Sequence, residues 1–196
     1  MLCKVLGNGQ LTDFENKRTE KTNELQMVQN LDYFYFAEKL RVLCSILSRQ
    51  YLVKSELELP FFDELIKHLE NEKFDHIPVI TIYYQIYLTQ IDSDNEEHYF
   101  KLKELLNKYY KLFPQDQAYD MYIFAMNYCI RRLNKGKPNS LNELFLLYKE
   151  LLPKKLILVD GELSPWYFKN IVVTGLRLKE YEWVEDFINR YKDYLP

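Results

Sequence analysis

Leu105-Leu-Asn-Lys-Tyr-Tyr-Lys-Leu-Phe-Pro114, Leu144-Phe-Leu-Leu-Tyr-Lys-Glu-Leu-Leu-Pro153 and Phe187-Ile-Asn-Arg-Tyr-Lys-Asp-Tyr-Leu-Pro196 are near-copies of one another. In each, a tyrosine (Tyr109, Tyr148, Tyr191) stands five residues before a proline, and an apolar residue directly precedes that proline. A fainter copy without the tyrosine ends at Ile77-Pro78, so the four prolines are 36, 39 and 43 residues apart. A period of this length, built from helix-like segments, is the signature of stacked helical hairpins. The expected fold is therefore all-α: a solenoid of stacked antiparallel helical hairpins.

Working outward, the segments between the prolines carry apolar residues at helical spacing. Ile80, Tyr83, Tyr84, Tyr87, Leu88 and Ile91 define a helix over 78–91, closed by the polar turn Asp92-Ser-Asp-Asn95. Tyr99, Leu102, Leu105, Leu106 and Tyr109 define its partner over 96–113. Tyr122, Ala125, Met126, Cys129, Ile130 and Leu133 place a helix over 114–134, which Gly136 and Pro138 terminate. Ser140-Leu-Asn-Glu143 has capping-box spacing and predicts a helix opening there and running to Leu152. Leu156-Ile-Leu-Val159, before Asp160-Gly161, fits either a short extended piece or one more helical turn. Ser164-Pro165 reads as an N-cap followed by proline in the first helical position, opening a last pair over 165–179 and 181–195.

Towards the N-terminus, Thr12-Asp-Phe-Glu15 predicts a helix from about Asp13 to Asn30, and a second apolar-periodic helix follows over 31–53. Pro60 restarts the chain for a short helix over 61–71. The expected organisation is a single helical-repeat domain over 1–196, of about nine helices. Within it, 1–11 is a loose leader, 12–59 holds the N-terminal helices and 60–196 the repeating pairs.

The last unit resembles a tetratricopeptide repeat, a 34-residue helix–turn–helix module. With Pro196 as the late proline, Phe168 matches the early aromatic and Tyr181 the aromatic of the turn between helices. The positions where that family carries small residues hold Val172, Val184 and Tyr191, implying wider or differently angled packing. The resemblance covers about residues 60–196 and implies a right-handed α-α superhelix of antiparallel helical hairpins with a concave, partner-binding face and usually no catalysis.

Composition narrows the function further. The chain has 196 residues, 47% apolar and 28% charged, which places it in the globular class. A net charge of −3 gives no general attraction for nucleic acid or anionic lipid. Cys3, Cys44 and Cys129 are odd in number and far apart, as suits a reducing compartment. With no apolar run of signal-peptide or membrane-spanning length, the expected location is the cytoplasm. Chemistry finds little footing. Gly7-Asn-Gly9 lacks the third glycine of a dinucleotide fingerprint. Asp92, Asp94 and Glu96 alternate like a calcium loop, but Glu97 and Lys103 occupy the positions that need glycine and glutamate. His68, His76 and His98 have no ligand partner at metal spacing. Cys44 and Cys129 lie on apolar helical faces, unsuited to a nucleophile. Arg131-Arg132 with Lys135 and Lys137 complement a helix C-terminus and need no nucleic acid. The expectation is a non-enzyme with no metal and no cofactor.

Laying one inner helix on the next predicts a partner-binding strip. Trp166, Lys169, Val173 and Arg177 share one face, overlain by Phe124, Tyr128 and Arg132, and by Tyr83 and Tyr87. Aromatics with arginines and a lysine suit a protein or peptide partner carrying apolar anchors and an acidic group. The alternative is a self-associating structural subunit or a piece of a longer array. A homodimer would then form through apolar surface of the C-terminal helix pair (Trp183, Phe187, Ile188, Tyr194). An enzyme ranks third.

Overall fold

The computed structural model describes residues 20–53, 61–72 and 74–196, with side chains of the first helix from 23 to 50. The leader, the Thr12–Glu15 capping box, Pro60 and Cys3 lie outside the described residues. Among those described, the chain is all-α save for one two-residue hairpin: α1 (Glu20–Val53), α2 (Phe62–Asn71), α3 (Pro78–Ile91), α4 (Glu96–Tyr109), α5 (Gln115–Asn134), α6 (Ser140–Leu151), β1 (Leu158–Val159), β2 (Glu162–Leu163), α7 (Pro165–Arg177) and α8 (Tyr181–Tyr191). Where the sequence reading treats 1–196 as one domain, the contacts divide the chain into two compact units, Met1–Phe113 and Pro114–Pro196.

In the first unit, α1 is one helix of 34 residues where two were expected. Neither glycine nor proline occurs between Glu20 and Val53, and Asn30 alone costs a helix only a few tenths of a kcal/mol (~0.7 at most). α1 and α2 run antiparallel: the Phe36 ring meets His68 at 5.2 Å, while Lys39 donates to the carbonyl of Phe61. α1 and α3 advance in the same direction, because Phe36 meets Phe74 and Cys44 Sγ donates to the Tyr83 carbonyl. α4 returns against α3, tied by Gln85 donating to the His98 carbonyl at 2.9 Å. Asn95 caps α4 by accepting from the Glu97 N–H. Tyr83, Ile86, Tyr99, Leu102 and Leu106 fill the core between α3 and α4.

In the second unit, α5 packs on α6, α6 on α7 and α7 on α8. The α5 terminus ends on Gly136 at φ +78°, as the Gly–Pro signal requires. The expected capping box at Ser140 is absent. Ser140 is already helical and buried, Asn139 makes no side-chain cap, and a turn of backbone bonds from Ser140 and Leu141 to Lys137 and Pro138 starts α6 instead. After Pro153 the chain turns through Leu156 and Ile157, and only Leu158-Val159 is extended: Leu158 pairs with Leu163 and Val159 with Glu162. The two residues between, Asp160 (φ 52°) and Gly161 (φ 85°), both have positive φ, the type I′ requirement of a two-residue hairpin. Ser164 caps α7 by accepting from the Trp166 N–H.

The repeated motif marks equivalent positions. Tyr109, Tyr148 and Tyr191 lie in the last turn of α4, α6 and α8, the second helix of each pair. After Tyr109 and Tyr191 the chain tightens into 3-10 turns, 110–112 and 192–194, from nearly the same backbone angles (φ −115°, ψ −7° and φ −112°, ψ −3°).

Candidate functional site

α7 is packed along one side only, and the other side faces solvent. Its inward side holds Ile171, Thr174 and Gly175. Thr174 Oγ1 donates back to the Asn170 carbonyl at 2.7 Å, so its hydroxyl is satisfied within the helix. Gly175 lets α8 close on α7: a side chain there would collide with Val184 Cγ2 and stand 3.2 Å from the Phe145 ring. The intimate contact of this hairpin therefore uses Gly175 against Val184, a pairing not signalled by the small-residue positions at Val172, Val184 and Tyr191.

The outward side of α7 carries Trp166, Lys169, Val173, Leu176 and Arg177, all exposed and recurring at helical spacing. Trp166 is 58% exposed yet held, its ring edge-on to Tyr167 at 4.8 Å. Tyr167 in turn meets Tyr119 of α5 at 6.2 Å. Burial raises the Tyr167 hydroxyl above the usual tyrosine range, against an opposing hydrogen bond from Tyr119. Among the described residues neither Lys169 nor Arg177 is in a salt bridge. The result is an exposed surface on which three apolar side chains are interspersed with two cations.

Of the expected strip, Trp166, Lys169 and Arg177 come together here. The others do not join them. Phe124 is half-buried on α5. Tyr128 and Arg132 are buried, 2% and 7% exposed, and satisfy each other: the guanidinium lies 5.6 Å over the Tyr128 ring and donates to its hydroxyl at 3.3 Å. Tyr83 is 1% exposed inside the first unit. The correction has one cause: α3 and α5 bury residues around most of their circumference, so Tyr83, Tyr128 and Arg132 face neighbours, not solvent. Tyr87, half-buried, lines a cleft of about 600 Å³ among α1, α2 and α3, with Leu43, Leu47, Phe62 and Ile91. Burial, then Tyr84 and the acids Glu70 and Asp63, raise its hydroxyl.

The C-terminal pair exposes less apolar surface than expected. Phe187 is buried, stacked between Trp183 (5.5 Å) and Tyr191 (5.1 Å) and against Phe168, while Trp183 is half-covered by Phe145 at 4.7 Å. Ile188 and Tyr194 remain exposed.

One polar cluster escaped the sequence. Buried Tyr122 donates to Glu150 Oε1 at 2.6 Å, and Lys154 Nζ donates to both, at 2.7 and 2.6 Å. The i,i+4 spacing of Glu150 and Lys154 hinted at a pair, but Pro153 between them concealed that the helix end places Lys154 over Tyr122. Among the described residues no group of three His, Cys, Asp or Glu side chains could hold a metal ion, and no helix is long and apolar enough to cross a membrane.

Comparison of the chain with protein-family models, with curated proteins and with solved structures gave no match in any of the three.

Proposed function

We propose that this chain is a non-enzymatic protein-interaction module, cytoplasmic, built of tetratricopeptide-like hairpins of the right-handed superhelical kind. Its exposed α7 face takes an amphipathic peptide or protein segment with apolar anchors and acidic flanks. The observation that carries this reading is the outward surface of α7, which combines Trp166, Val173 and Leu176 with Lys169 and Arg177. Such a patch costs solubility on a monomer and matches the aromatic-plus-cation composition of binding hot spots. The equivalent placement of Tyr109, Tyr148 and Tyr191 at the ends of second helices supports the repeat assignment, as does the alternation of α1 up, α2 down, α3 up and α4 down.

The test is selection of ligands from a displayed library of helical peptides of varied charge. Bound acidic amphipathic peptides should be lost, at least tenfold in Kd, by Lys169→Glu with Arg177→Glu, with the thermal midpoint unchanged. Trp166 emission should shift on binding. Peptides that bind the double variant equally well, or that leave Trp166 emission unmoved, remove the α7 face from the account. A second reading, a self-associating structural subunit, is favoured by a different surface on α1.

A further inference from the structure

α1 is longer than anything packed against it. At 1.5 Å per residue its 34 residues reach about 51 Å, against about 21 Å for the 14-residue α3 beside it. Every residue from Glu24 to Asp32 is exposed. The buried side of the helix, Ala37, Leu40, Leu43 and Cys44, begins only further along. On the opposite side stand Val28, Leu31, Tyr35 and Val42, 59%, 64%, 47% and 45% exposed. Their steps of three, four and seven are those of alternating a and d positions in a heptad, the seam along which two helices supercoil. Among the described residues these four side chains lie outside the buried core of the unit, although Lys39 sits over both the Tyr35 ring and the Phe61 ring at the start of α2.

We propose that this seam pairs with the same seam of a second copy of the chain, antiparallel, forming a homodimer through α1. The charges choose both occupant and direction. A parallel pairing sets Glu24 on Glu24 and Glu38 on Glu38 within the seam, and like charges directly opposed disfavour it. The antiparallel register that lays Leu31 against Val42 of the second copy separates those acids. It brings Asp32 of each copy beside Lys39 of the other and Phe34 beside Arg41. Glu38 holds a d position within the seam, opposite Tyr35 of the second copy in this register, and is already paired with Arg41 of its own helix at 2.7 Å, which makes that place tolerable. Lys39 already leans over the Tyr35 ring, 5.0 Å from its centre, so its charge borders the apolar contact as flanking residues of coiled coils do. The interaction is separate from the α7 face, and either can hold without the other.

Sedimentation velocity on the full chain from 2 to 200 µM tests it, with a dimer dissociation constant on the order of 10 µM expected for so short a seam. Leu31→Glu with Tyr35→Glu should leave a monomer throughout, with an unchanged thermal midpoint, since both side chains face away from the core. Asp32→Lys should weaken the dimer about three- to tenfold, and adding Lys39→Asp should recover most of that loss. A wild-type monomer across the range overturns the proposal, as does a dimer that survives the double glutamate variant. An Asp32→Lys, Lys39→Asp variant no tighter than Asp32→Lys overturns the antiparallel direction. Binding of the monomer to anionic vesicles that the glutamates abolish would instead assign the stripe to a membrane surface and also overturns it.

Discussion

Replacing Gly175 by alanine tests the packing of the α7–α8 hairpin against a clear opposing expectation. In an ordinary helix interior the change stabilises by about 1 kcal/mol, because glycine has more backbone freedom to lose. Here the added methyl enters space held by Val184 Cγ2, and the Phe145 ring stands 3.2 Å away. Val184 cannot swing aside easily, since a β-branched side chain in a helix keeps one strongly preferred rotamer. Phe145 is itself pinned, 4.7 Å from Trp183 and 4.6 Å beneath Lys149 Nζ. Overpacking of this kind costs about 1–3 kcal/mol, so the net effect is a loss of about 1 kcal/mol. For a chain of this size that lowers the midpoint by about 2–4 °C. Both tryptophans, Trp166 and Trp183, lie in the second unit, so tryptophan emission during a urea titration reports on that unit. In a Val184→Ala background the collision is gone, and Gly175→Ala should then stabilise; the sign reversal is a coupling of about 1–3 kcal/mol. Stabilisation by Gly175→Ala in both backgrounds would refute the close approach.

The Tyr122–Glu150–Lys154 cluster predicts a non-additive pair. Glu150→Leu alone strands a mostly covered ammonium and should cost about 2 kcal/mol, while Glu150→Leu with Lys154→Leu should cost less than the single change; urea titrations decide. Burial foremost raises the hydroxyls of Tyr119, Tyr148 and Tyr167 above the usual tyrosine range, helped at Tyr119 by its hydrogen bond to Tyr167. Because these groups ionise more readily unfolded, near pH 10, their contribution is fully present below that pH and is lost as pH rises above it. An absorbance titration at 295 nm should show them ionising only with unfolding, and a single midpoint near 10 for all 17 tyrosines with helicity retained contradicts this. Burial likewise pushes the Cys44 thiol far up, so alkylation of Cys44 at pH 8 should track global unfolding. A rate insensitive to destabilising substitutions elsewhere would show local access.

What the sequence made legible were the features that rest on backbone chemistry. Proline cannot continue a helix from its interior, so Pro78 and Pro165 mark helix starts. Ser164 gives an N-cap because its hydroxyl can reach an unpaired N–H. The tyrosine–proline endings fall at matching helix ends for the same reason. Illegible were features decided by competition among neighbours. Ser140 has the composition of a cap, but the turn from Lys137 satisfies the first N–H groups sooner and draws Ser140 into the helix. Leu156-Ile-Leu-Val159 has no period to distinguish strand from helix, and only the positive φ that Asp160-Gly161 accepts settles it as a hairpin. Gly175 reads in sequence as a weakness in α7, and its use emerges only with Val184 and Phe145 against it.

The misplacement of Tyr83, Tyr128 and Arg132 has the same origin and bears on where partners can bind. Periodicity locates a binding face by default, as the side opposite the core, and that inference needs a helix with only one apolar side. α3 buries Val79, Ile80, Ile82, Tyr83 and Ile86, and α5 buries Met121, Tyr122, Ala125, Tyr128 and Cys129, so Tyr83, Tyr128 and Arg132 fall among core residues and not on an outer face. An arginine in such a place must find its partners within the unit, and Arg132 does so on Tyr128. α7 and α1 differ because each is packed on part of its circumference only. Their outward apolar residues, Trp166, Val173 and Leu176 on α7 and Val28, Leu31, Tyr35 and Val42 on α1, are exposed among the described residues, which is the physical ground for proposing those two surfaces as the binding faces.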